Sequence, residues 1–143
     1  MEHPILKNKS FKKLLESVRE HCDRYFSIEC CGFIGKKDKE YIAQFVSNRS
    51  PNPKDFFCVD PLDYLKFKNE YEFIALLHSH IVSDESFSKM DVANAEATCL
   101  PSIVYSLNTK KFAIYEPNNH EVDVNTLNKV KGYLWQRFIY MVF

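Results

Sequence analysis

The chain has 143 residues, enough for one domain with a sizeable core and too few for two full ones. Apolar residues make up 45% and aromatics 15%, which excludes intrinsic disorder for most of its length. Lysine plus arginine and aspartate plus glutamate are 19 each, so there is no electrostatic case for a nucleic-acid or membrane-surface partner.

In chain order, Phe11, Leu14, Leu15, Val18, Cys22 and Phe26 are spaced for one buried stripe, which predicts a helix over 10–26 with Ser10 as N-cap. Cys30 to Ile34 reads as a strand with Gly32 inside it. A charged turn over 36–39 leads to a second strand, Tyr41 to Val46. Asparagines and prolines mark 48–55 as a loop, and the apolar run Phe56 to Val59 reads as a short strand. Asp60-Pro61 is a helix start, aspartate capping and proline in the first turn, for a helix to about Asn69. Phe73 to Leu77 is continuously apolar and predicts a central strand buried on both faces. His78-Ser79-His80 lies at its end, and 81–87 is a loop.

Ser88-Lys-Met-Asp91 opens an alanine-rich helix with a capping-box pattern, ended before Pro101. Ser102 to Leu107 and Lys111 to Tyr115 form a last hairpin. The expected class is α+β: a single mixed sheet flanked by helices, in residues 1–117. Residues 118–143 read as an appended segment. Their apolar tail, Tyr133 to Phe143, is too short to span a bilayer.

Five cysteines, an odd number with no CxxC pair, and a start without an apolar stretch after Met-Glu-His-Pro lead to the expectation of a cytoplasmic protein with free thiols. Glycine occurs only three times, and neither GxGxxG nor GxxxxGK[ST] is present, which sets aside phosphate-cradling loops.

The chemistry lies in His78-x-His80, seven residues, Ser88, two residues, and Asp91. Side chains alternate along a strand, so both imidazoles project to one side of its end. If the first turn of the next helix folds back over that end, Asp91 supplies a third donor. Two histidines and a carboxylate suit tetrahedral zinc with one position left for water, the mark of a catalytic site rather than a structural one. Such a site also needs a base, and Glu29, just before a buried strand, is the candidate. Spacing alone does not select it from the other glutamates.

Glu29-x-Cys31-Gly32 upstream of His78-x-His80-x7-Ser88-x2-Asp91 resembles the JAMM (MPN+) zinc metalloprotease family, over about residues 8–117. Within it, the chain is most similar to the amino-terminal domain of bacteriophage tail-assembly proteins. The shared stretches include His21-Cys22, Asn52-Pro-Lys-Asp-Phe-Phe57, Asp60-Pro61 and Leu100-Pro-Ser-Ile-Val-Tyr-Ser-Leu107. The resemblance implies a cytidine-deaminase-like JAB/MPN fold. It implies zinc ligands at His78, His80 and Asp91, Glu29 as general acid/base, and Ser88 as donor to the tetrahedral oxyanion. The reaction implied is hydrolysis of a peptide or isopeptide bond, in protein or peptide substrates and with phage tail proteins as partners. Ile81 and Phe87 stand where relatives often carry proline, in the loop that would position substrate. Gly132 to Tyr140 resembles the start of the second, cysteine-dependent domain that follows in phage-type relatives.

Simpler readings exist for single features. Ser88 and Asp91 can be a helix cap alone. Cys31 can be a nucleophile with a histidine base, although a thiol on a buried strand is usually core. His21 reads as a helix residue at the core edge. Three other functions compete. One is a cellular peptidase of the same family processing a ubiquitin-like sulfur carrier. The second is a catalytically silent module of this fold. The third is a zinc nucleoside deaminase, which would need H-x-E with P-C-x-x-C, and both are absent.

Overall fold

Six strands form one mixed sheet in the order β1-β3-β2-β4-β5-β6, in a computed structural model that describes residues 3–117 and 128–129. The elements in chain order are β1 (Ile5–Asn8), α1 (Phe11–Asp23), β2 (Cys31–Lys37), β3 (Glu40–Val46), α2 (Pro61–Glu70), β4 (Glu72–His80), α3 (Lys89–Thr98), β5 (Ser102–Ser106) and β6 (Phe112–Tyr115). β4 and β5 run parallel, and the other pairings among the described residues are antiparallel. The α+β class with helices on both faces of the sheet is as the sequence predicts.

Ser10 caps α1 by accepting from the Lys13 amide, and the helix buries Phe11, Leu14, Leu15, Val18, His21 and Cys22. This stripe packs on Ile34, Ala43, Phe45, Leu77, Ile103 and Phe112 on one face of the sheet. On the other face Cys31, Phe33, Ile42, Phe73 and Leu76 pack against Phe67 of α2. Asp60 caps α2 with Pro61 in its first turn, again as predicted. Gly32 of β2 lies close against the backbone of β3. A Cβ there would lie 2.0 Å from the Gln44 carbonyl oxygen, so no other residue fits without moving β3.

Three expectations need correction. α1 ends at Asp23, and Phe26, assigned to its stripe, lies beyond the end and is 74% exposed. Phe56 to Val59 is not a strand. Its backbone bonds to Asn48 and Arg49 rather than to a neighbouring strand. Residues 5–8, assigned to no element, form edge strand β1 against β3. β4 runs to His80, so the two histidines close the strand, as the alternation argument requires. The appended segment, 118–143, lies outside the described residues apart from 128–129. Among the described residues no helix is long and apolar enough to cross a membrane.

Candidate metal centre

After Glu72, β4 is buried along its whole length. Its alternation puts Leu77 on the α1 face and Leu76 on the α2 face, and His78 and His80 follow Leu76. His78 Nε2 and His80 Nε2 are 3.3 Å apart.

α3 brings the third group. Ser88 Oγ accepts from the Asp91 amide at 3.0 Å, and Asp91 Oδ2 accepts from the Ser88 amide at 3.0 Å, a reciprocal capping box. The same carboxylate reaches both histidines. Its Oδ2 is 3.1 Å from His80 Nε2 and its Oδ1 is 3.4 Å from His78 Nε2. Capping and clustering are therefore done by one side chain. One candidate ligand atom from each of His78, His80 and Asp91 lies within 4.8 Å of the others.

His80 Nδ1 is 2.7 Å from the Asp84 carbonyl oxygen, which can only accept, so Nδ1 carries the proton in the neutral ring. Nε2 then turns its lone pair toward the Asp91 carboxylate. Two acceptors 3.1 Å apart need a cation between them, either a proton on His80 or a metal ion. Two imidazole nitrogens and one carboxylate oxygen are a donor set that suits zinc, so the residues present fit the metal.

The electrostatics follow from burial and pairing. Burial draws His78 below its ordinary value, against the pull of its Asp91 contact, which favours the neutral ring that ligates metals. Burial acts on His80 in the same sense, but Asp91 and the Asp84 carbonyl outweigh it and raise its proton affinity. Burial alone would raise Asp91. Hydrogen bonds from both histidines hold it well below the usual carboxylate range.

Glu29 arrives by strand pairing. Cys31 lies opposite His78 in the β2–β4 register, and the Ser79 amide donates to the Cys30 carbonyl. One further step puts Glu29 opposite His80, and opposed residues share a face. Glu29 is 6% exposed. Burial pushes its carboxyl up to about 8, with the His80 charge opposing and the Asp91 and Asp55 charges adding.

Three residues with no assigned role in the sequence support the cluster or the loop between its ligands. The Phe57 ring stacks on His78, centroids 4.3 Å apart and planes 18° from parallel. Asp84 orients His80. Glu85, 3% exposed, accepts from Thr109 Oγ1 at 2.8 Å, while Ser106 Oγ donates to the Ser83 carbonyl at 2.8 Å. The loop carrying Ile81 and Phe87 is thus pinned to the β5–β6 turn without the prolines of relatives. Apart from the Asp84 contact, which is local, these contacts join segments far apart in the chain, so no sequence pattern marks them.

Cys31 is core, as the simpler reading expects. Its thiol is buried, meets the Val46 carbonyl at 3.7 Å, and is pushed up to about 12 by burial. His21 lies on the α1 face between Tyr25 and Phe45, away from the cluster.

The family of prokaryotic homologs of the JAB domain matches residues 11–119. Tail tip assembly protein K of Escherichia phage N15 is 28% identical over 90 residues, covering 63% of this chain and 37% of that protein. The match thus spans little more than a third of that relative's length. The solution structure of protein DSY2949 from Desulfitobacterium hafniense superposes with a TM-score of 0.54 at 19% identity, over 78% of this chain and 92% of that one, a likeness of fold. With most of its length matched and His78, His80 and Asp91 inside the match, the chain belongs to the prokaryotic JAB-domain family.

Proposed function

We propose that the chain is a zinc-dependent peptidase that hydrolyses a peptide or isopeptide bond in a phage tail protein. The observation that carries this reading is the convergence of His78, His80 and Asp91 within 4.8 Å, beside a buried glutamate opposite His80. Held by these three residues, zinc would supply Lewis-acid polarisation and make water acidic enough to attack at neutral pH.

The chain's own residues would do the rest. Glu29 takes a proton from the attacking water at its carboxylate and passes it to the leaving nitrogen, which departs as a free amine. Burial raises the proton affinity of Glu29, which suits a group that must accept a proton and then deliver it. The Ser88 hydroxyl uses a lone pair to accept from the Asp91 amide, so its own proton is free to donate to the developing oxyanion. Asp84 and Phe57 hold the two imidazoles in orientation. The phage substrate is drawn from the likeness to tail tip assembly protein K.

The purified chain is expected to hold about one zinc, by elemental analysis, through the three-residue donor set. Co-expressed with tail-tip proteins of a related phage, it is expected to yield a shortened tail protein by mass spectrometry. A chelator or Glu29→Gln should abolish the shortening. A zinc-loaded chain that leaves every tail protein intact would overturn the reading.

A further inference from the structure

We propose that Asn48 is a positioning residue that holds both halves of the site, and this inference rests on the peptidase reading above. Asn48 follows β3 by two residues and is half-buried at the root of the 48–60 loop. Its amide group donates to the carbonyls of Glu29 at 3.0 Å, Phe56 at 2.9 Å and Pro53 at 3.3 Å. Its carbonyl oxygen accepts from the amides of Ser50 at 3.0 Å and Cys58 at 3.1 Å. Two hydrogens serve three acceptors and two lone pairs serve two donors, so the side chain is used to its full capacity.

These five contacts bracket Phe57, whose neighbours on both sides are bonded to Asn48, and they fix the ring over His78. They also bind the loop to the backbone of Glu29, whose amide donates to the Pro53 carbonyl at 2.7 Å. Glu29 precedes β2, so its main chain is held here by the loop, with Asn48 at the junction. One amide thus sets the plate behind a candidate ligand and the backbone of the candidate base. A residue that only shaped the loop would not also bond the backbone of Glu29.

The two halves have separate readouts. Zinc affinity of the purified full chain, measured by competition with a chromophoric chelator, reports the Phe57–His78 half. Residues that support a ligand are worth about 10–100-fold in metal affinity, so Asn48→Ala and Phe57→Leu should each weaken zinc at least about tenfold. The double variant should be no weaker than the worse single one, because both act on one ring. Ser50→Ala removes only the hydroxyl that accepts from the Asn52 amide, keeps the backbone bond to Asn48, and should bind zinc as wild type does.

The Glu29 half is read on the tail-protein substrate: Asn48→Ala should lower kcat about tenfold or more with KM within about twofold. If Asn48→Ala fails to fold, Asn48→Ser, which keeps a donor and an acceptor, replaces it with a smaller loss in the same direction. Folded Asn48 variants with wild-type zinc affinity would overturn the proposal, as would an equal loss in Ser50→Ala. A wild-type chain that binds zinc and cleaves nothing would sink the peptidase reading alone, leaving the affinity test to decide on Asn48.

Discussion

Helices α1 and α3 lie on opposite faces of one sheet and are held by different means. α1 buries six of its thirteen residues in a continuous apolar stripe. α3 buries only Ala95 of its ten and carries Met90 at 55% exposure. What fixes α3 is its ends: the capping box at Ser88 and Asp91, the left-handed Cys99 before Pro101, and a hydrogen bond from Tyr115 to Glu96. One helix is there to build the core. The other delivers a carboxylate to the strand opposite.

Substitutions should separate these two roles. Asp91→Ala removes a donor outright, so zinc affinity should fall by more than the roughly 100-fold upper range for a merely supporting residue. Far-ultraviolet circular dichroism should show the sheet and α1 intact. Retained one-to-one zinc binding would remove Asp91 from the ligand set.

Leu14→Ala should do the reverse. Leu14 is fully buried under α1, and such truncations cost about 2–5 kcal/mol. Urea unfolding should show the loss, while zinc bound per folded chain stays at the wild-type level. A change in zinc stoichiometry would mean that the two faces are not independent.

Glu29→Gln tests the burial of the candidate base in the metal-free protein. The folded-state value near 8 exceeds the ordinary 4.5, so the folded chain binds this proton more tightly than the unfolded one. Stability should be full below pH 4.5 and fall as pH rises to about 8, by at most about 1.4 kcal/mol per unit. Glutamine cannot ionise, so the variant should be flatter over that window in urea titrations at several pH values. Parallel pH profiles would place Glu29 in water.

Ser88→Ala carries the smallest stability effect, about 1 kcal/mol for a lost N-cap. The Ser88 amide still donates to Asp91 Oδ2 after the change, so zinc should be retained. If the hydroxyl also serves the oxyanion, kcat on the tail-protein substrate should drop roughly 10²–10³-fold. A kcat within about threefold of wild type would leave Ser88 as a cap only.

Features written in neighbouring residues were legible in the sequence, and features made by distant pairing were not. Ser10, Asp60-Pro61 and Ser88 announce their helices because a cap is a local hydrogen bond. The histidines could be placed together because strand alternation is local, and Asp91 because it lies in a first turn. Glu29 depends on the β2–β4 register, which no spacing encodes, and only the family resemblance singled it out. Phe56 to Val59 has the composition of a strand, yet its backbone is satisfied by a side chain, Asn48. β1 is four residues long with Ile5 half exposed, too short and too weakly alternating to register as a strand.

The parallel pairing of β4 and β5 has a consequence for how this site tolerates change. Parallel neighbours cannot be joined by a hairpin, so the chain must leave the end of β4 and travel back along the sheet before β5 can start. α3 is part of that return path, and Asp91 stands near its beginning, just past the strand that carries the histidines. The carboxylate's reach is therefore set by the length of one connection, residues 81–88. Adding or deleting residues there shifts one ligand against the other two, whereas the β2–β3 hairpin at Asp38 can lengthen without moving any of the three.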